Sequence, residues 1–413
     1  MQSSKYILSI GAAIGGISTL YFLSLIAHLP FIISAALIGI SIYPFIRWFG
    51  KQLLGTNERI GNFAVGILIA GAVILTNKVY YIATIYGPWD AWAIWNLNAK
   101  YLISSEHWQN MFMNTKFTHP DYPLALPSTI AFFSRLAGGQ FNLLIPFAFH
   151  FLITLSIPIL IFTETYKRSI IVAGTALLLM ATNEFYLLQG MHQMADTLLS
   201  FFLLCAMVSM QQHKDDPRML VMSAAFLGCC MWTKNEGVIL TIIFCIFHYK
   251  EFFGKYRAKY SFAGFALPVV VWAIFKFGYA TDNDMVAAQG QETLELLKDT
   301  ARYKLIYDSF ITNLNEHFNG LKWCVLVYLL LCIILRRTPD KRILMILCCM
   351  LTYLLVYVVS PNNLEWHLFT SLSRLMHQLM PVTMYTLAMM LAGDSKTTSG
   401  FQARFVSIRQ RLP

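Results

Sequence analysis

Apolar runs of about 20 residues recur along nearly the whole chain, and a run of that length crosses a hydrocarbon core of about 30 Å as a helix. They fall near 6–26, 29–48, 60–82, 141–163, 168–183, 194–210, 219–234, 237–252, 260–279, 320–336, 342–360 and 369–392. In hydrocarbon each backbone N–H and C=O must be satisfied within its own segment, so the spans have to be helical. The expected fold is all-α and integral to a membrane: about twelve transmembrane helices over 1–393, then a polar, basic cytoplasmic tail at 394–413. Only 13% of the residues are charged, about half the fraction usual in soluble domains. The first run is long and no A-x-A-like site precedes the second, so it reads as a span and not as a cleaved signal.

The charges then set direction. With the N-terminus inside, most of the 31 Lys and Arg fall in cytoplasmic segments, among them Arg47, Lys167, Arg168, Lys250, Arg257, Arg336 and Arg337. The formal charge of +10 is therefore a topology signal of the positive-inside kind, and nucleic-acid binding is not expected. All eight cysteines lie in apolar runs without a C-x-x-C, so they read as core residues.

Two segments between spans are longer than connectors, 87–140 and 281–318, and both are expected outside the cytoplasm. The second has Leu294, Leu297, Ala301, Leu305 and Phe310 at near-helical spacing, which predicts an amphipathic helix on the membrane or capping the bundle. The first opens with Trp89, Asp90, Trp92 and Trp95. Indoles at three-residue steps suit interfacial anchoring, and Asp90 is either a helix N-terminal carboxylate or a functional one. Further on, His119-Pro120-Asp121-Tyr122-Pro123 and Pro127 stiffen the loop. His119 and Asp121 could orient a substrate or share a divalent metal, although two ligands two apart are a weak metal signal.

Three more constellations sit at span ends. Lys234, in Thr233-Lys234-Asn235-Glu236-Gly237, lies where an unpaired Lys costs roughly 2.5–3.5 kcal/mol, so its partner is Glu236 or an anionic headgroup. His367, Ser371, Arg374 and Gln378 follow steps of four, three and four and form one helical stripe, with His377 beside it. Arg374 there either snorkels to the interface or clamps a phosphate in bidentate fashion. Gln189, His192 and Asp196 share a face where a loop at 184–193 enters a span, with Asp196 a capping alternative. By the charge-derived orientation all of these lie on the outer side.

These residues resemble a GT-C-type glycosyltransferase, the multi-span class that takes sugars from polyprenyl-phosphate donors, and are similar to the protein O-mannosyltransferase and lipid A aminoarabinose transferase group. The resemblance rests on Asp90 opening the first large outer loop, the span start Met194-Ala195-Asp196-Thr197-Leu198, and Gly228, Thr233, Lys234 and Gly237. It departs from that group in having Ala91 after Asp90, where paired acids are common, and in placing three spans before the loop instead of one.

The resemblance implies sugar transfer from a lipid-linked donor to a hydroxyl on a glycan, lipid or protein acceptor, on the outer face of a membrane such as the bacterial inner membrane. A polyprenyl phosphate leaves readily, so the chemistry needs a base and cations for the phosphate. Asp90 is the expected base, and Lys234 and Arg374 hold the phosphate. His119 and Asp121 orient a sugar, Asp196 supports the cavity, and His192, Glu236, His367 and Gln378 line it. The alternatives are a transporter or flippase for an anionic lipid or solute, which typically uses repeat symmetry not evident here, and a lipid-linked glycan polymerase or ligase.

Overall fold

The computed structural model describes residues 3–54, 61–104, 106–113, 119–214, 216–280 and 291–393. The expected tail at 394–413 and the first part of the second long segment, 281–290, lie outside the described residues. Every regular element among the described residues is helical.

Among the described residues, six helices are long and apolar enough to cross a membrane: Ser4–Ile26, Asn62–Ile82, Leu144–Thr165, Ala195–Gln212, Ala258–Gly278 and Lys341–Val358. Two bent pairs raise the number to as many as eight. This is an integral membrane protein by length and composition, but the expected count of about twelve is not reached on that measure. Several apolar runs are too short or broken. Arg218–Thr233 and Glu236–Phe247 are short apolar helices. The run at 168–183 ends at Asn183, whose side chain accepts from the Tyr186 amide at 2.8 Å and starts a new helix. That helix, Glu184–Met191, is bent 63° from Ile170–Thr182, so the expected loop at 184–193 is mostly helical. Leu364–Leu391 is 28 residues long, but its polar stripe makes it less apolar than those six.

At the centre lies Ala195–Gln212, 94% of it buried inside the protein. Arg218–Thr233 packs on it and, extensively, on Ala258–Gly278. That second approach is close because Gly264 has no side chain: a Cβ there would meet the Val221 carbonyl oxygen at 2.2 Å. Leu364–Leu391 lies along another side of the central helix. One continuous apolar core joins these elements.

The second long segment corrects the expectation of one amphipathic helix. It is broken at Asp299, whose carboxylate accepts from the Ala301 amide at 2.9 Å, so Leu294 and Leu297 lie on Gln291–Lys298 and the later residues on Thr300–His317. The second of these caps the bundle through Leu305, Ile306, Phe310 and Leu314. Arg302 pins it in place by donating to the carbonyls of Tyr357 and Val358 at 3.1 Å and of Ser360 at 2.9 Å. Those are carbonyls at the end of Lys341–Val358, which an arginine satisfies well.

The tryptophan reading also needs correction. Ala91–Asn96 is a π-helix, a rare form that turns more widely than an α-helix, so the three-residue steps do not give a common face. Trp89 is exposed, whereas Trp95 is in the core and stacks on Tyr122 at 5.6 Å. It is not an interfacial anchor.

Candidate functional site

Five separated stretches meet at one end of the bundle. Asp196 is the hub, in the first turn of Ala195–Gln212, with Met194 as the N-cap residue. Its carboxylate makes no cap bond, so the capping alternative does not hold. Instead it accepts from Lys234 Nζ at 2.9 Å and from Gln378 Nε2 at 2.6 Å on Oδ1, and from Arg374 Nη2 at 3.2 Å on Oδ2. Its side chain is only 2% exposed. A buried carboxylate of this kind is tolerable only because cations and a hydrogen bond surround it.

The two cations each hold a second carboxylate. Arg374 donates through Nη1 to Asp90, and Lys234 lies 3.0 Å from Glu236. Arg374 therefore does not snorkel; its guanidinium bridges Asp90 and Asp196 with its side chain 15% exposed. Lys234 takes both Asp196 and Glu236 as protein partners. Asp90 and Glu236 are the accessible members, at 26% and 27% side-chain exposure.

The local backbone explains how Lys234 reaches the hub. Arg218–Thr233 stops at Lys234, which is extended, and the chain restarts at once as Glu236–Phe247. So tight a reversal needs glycine at 237, where a Cβ would stand 1.9 Å from the Cys230 carbonyl oxygen. Asp90 precedes the π-helix and makes no cap bond to it, which leaves its carboxylate free to meet Arg374. The stripe of Leu364–Leu391 faces protein throughout. His367 Nδ1 bonds Ser360 at 2.7 Å, Ser371 bonds Tyr357 at 2.7 Å, and Gln378 accepts from Tyr353 at 2.6 Å.

The proline loop forms the next layer. Asp121 accepts from Asn235 at 2.8 Å, and Lys276 donates to the Asp121 carbonyl. Burial pushes the Asp121 carboxyl above the ordinary carboxylate range, against the pull of Lys276 and the Asn235 hydrogen bond. His119 stacks on Tyr122 at 5.0 Å, and Tyr122 in turn stacks on Trp95. Burial also raises the Tyr122 phenol, with Glu236 and Asp121 adding to it. His192 stands near the hub, its imidazole held below the usual range by burial and then by the charge of Arg374.

Asp90, Asp196, Lys234, Glu236, Arg374 and Gln378 are thus joined directly. Asp121 is linked to them through Asn235, the neighbour of Lys234, while His192 feels the charges of Arg374 and Asp196 and His119 and His367 have their partners in Tyr122 and Ser360. The sequence reading named Asn235 and Tyr122 within its motifs without giving them a role, and did not pick out Lys276 or Tyr353. Lys276 carried a usable signal, a lysine inside an apolar run. Tyr353 did not, since a tyrosine in a membrane helix is ordinary. Among the described residues no group of three or more His, Cys, Asp or Glu is arranged to hold a metal ion, and His119 and Asp121 are engaged with Tyr122 and Asn235 instead.

The fold and site together define an all-helical membrane protein with a charged network at one end of its bundle. No model of a known protein family matches the chain, and neither the curated proteins nor the solved structures contain a match.

Proposed function

We propose that this protein is a GT-C-like glycosyltransferase that moves a sugar from a polyprenyl-phosphate donor to an acceptor hydroxyl at the extracytoplasmic face. The observation that carries this reading is the Asp90–Arg374–Asp196–Lys234–Glu236 chain of ion pairs, placed at the end of an apolar bundle, with its accessible edge made of Asp90 and Glu236. A protein core gains little from such a network, because desolvating the charges offsets their attraction. A site that must receive a lipid-borne anion and a hydroxyl nucleophile needs both signs of charge together.

In the proposed step, Asp90 takes the proton of the acceptor hydroxyl as its oxygen bonds to the anomeric carbon. The bond from that carbon to the phosphate oxygen breaks, and the electron pair leaves with the polyprenyl phosphate. The phosphodiester donor carries one negative charge and the departing monoester gains a second, which Arg374 and Lys234 stabilise. Asp196 fixes the two cations so that little reorganisation is needed at the moment of transfer. Attack opposite the phosphate inverts the anomeric configuration.

The test is a reconstituted assay in which purified protein receives a panel of radiolabelled polyprenyl-phosphate sugars and candidate acceptors. Covalent transfer with inversion is expected. Movement of labelled lipid across vesicles with no covalent product would replace this reading with a flippase.

A further inference from the structure

The cations assigned to the donor phosphate are already occupied. Arg374 is engaged with Asp90 and Asp196, and Lys234 with Asp196 and Glu236. Three carboxylates face two cations, so the contact network carries an excess of one negative charge. A phosphate could not be added to that arrangement as it stands, since like charges within a few ångströms in a poorly solvated site are strongly unfavourable. One or more carboxylates has to give way.

Burial decides which. Asp196 is 2% exposed and holds Lys234, Arg374 and Gln378 together, so withdrawing it would strand two cations. Glu236 is 27% and Asp90 26% exposed, and each rests on a single one of the two cations. Glu236 is the first residue of the short helix Glu236–Phe247, at the edge of the network.

Resting on the donor-site reading above, we infer that Glu236 and Asp90 act as built-in stand-ins for the donor phosphate, to be displaced from Lys234 and Arg374 when the phosphate arrives. Displacement has a chemical consequence for Asp90. While Arg374 Nη1 donates to it, Asp90 Oδ2 is taken up; once the phosphate takes Nη1, that oxygen is released to serve the acceptor hydroxyl. The base is thereby armed only when donor is present. After transfer, Glu236 returns to Lys234 and helps expel the lipid phosphate.

The experiment measures equilibrium binding of a polyprenyl monophosphate, and of the uncharged polyprenol, to the full chain in nanodiscs of neutral lipid. Glu236→Gln keeps the shape of an accessible side chain and removes its charge, and its thermal midpoint checks folding. Binding of the phosphate is expected to tighten roughly tenfold, the factor that follows if Lys234 is free of Glu236 about one-tenth of the time. Asp121→Asn removes a nearby negative charge that rests on Asn235, so it reports the through-space contribution, and the effect of Glu236→Gln has to exceed it. If the wild type prefers phosphate to polyprenol and Glu236→Gln binds equally or more weakly, the stand-in role is overturned while the donor site survives. If neither protein prefers phosphate to polyprenol, the donor site itself is wrong and the inference falls with it.

Discussion

Arg374 joins Asp90 to Asp196 across 284 and 178 residues of sequence, one guanidinium between a carboxylate at the rim of the site and one at its centre. The planar fork does what a point charge cannot, since it meets two carboxylates on different edges at once. Arg374→Lys is therefore expected to lower sugar transfer on the order of 10²-fold, the scale set by small misplacements of reacting groups. A transfer assay on folded protein, confirmed by its melting curve, measures this. Wild-type activity in that variant would remove the bridging role.

Asp90 is expected to separate chemistry from binding. Asp90→Asn keeps the size of the side chain but removes the proton acceptor, so kcat should fall by about 10²–10⁴-fold while the lipid-phosphate donor still binds. Rapid-quench turnover alongside equilibrium donor binding distinguishes the two effects.

Asp196 is expected to matter for folding as well. Asp196→Ala leaves Lys234, at 4% side-chain exposure, and Arg374 without their shared counter-ion. Breaking a buried pair in this way costs about 3–5 kcal/mol. A large fall in the thermal midpoint in detergent is the predicted readout, and Asp196→Asn should fall by less because it still offers an oxygen to Gln378.

Gly237→Ala tests the tight reversal. A methyl group 1.9 Å from the Cys230 carbonyl oxygen cannot be accommodated without moving one of the two helices. The loss should exceed the about 1–3 kcal/mol typical of overpacking, and it should displace Lys234. Retained stability together with retained activity would show that the reversal is looser than its geometry implies.

Two groups give stability opposite dependences on pH. His192 is held below its ordinary value of 6.5, so it favours the fold fully above that pH, and the contribution is lost as the pH falls through 6.5 toward the lowered value. Asp121 is raised above 3.8, so its contribution is greatest at lower pH and declines as the pH climbs from 3.8 through the raised value. Melting curves of the wild type from pH 4 to 8 should lose part of their acid-side slope in His192→Gln. In Asp121→Asn they should lose a slope of the opposite sign.

How much of this was legible in the sequence depends on the scale of the signal. The stripe of His367, Ser371, Arg374 and Gln378 could be read because helical spacing alone puts those residues on one face, and the structure gives each of them a protein partner. Lys234 was legible because an isolated lysine among apolar residues demands explanation. Its main partner, Asp196, was not, since nothing local relates positions 38 residues apart. Helix breaks were the weakest part. Asn183 starts a new helix through an N-capping bond and Asp299 does the same, and hydropathy, which sees only apolar length, passes over both. The π-helix at Ala91–Asn96 misled in another way, because a pattern of three-residue steps presumes α-helical geometry.

The polar face of Leu364–Leu391 also bears on how the protein is made. Its arginine and glutamine find their counterparts, Asp90 and Asp196, on segments that leave the ribosome far earlier. Until this last described helix arrives, Asp196 has Lys234 to answer it, while Asp90 waits for Arg374. Assembly of the charged end is thus a late event, and a chain stopped short of Leu364 should be recognised by quality-control proteases as unfinished.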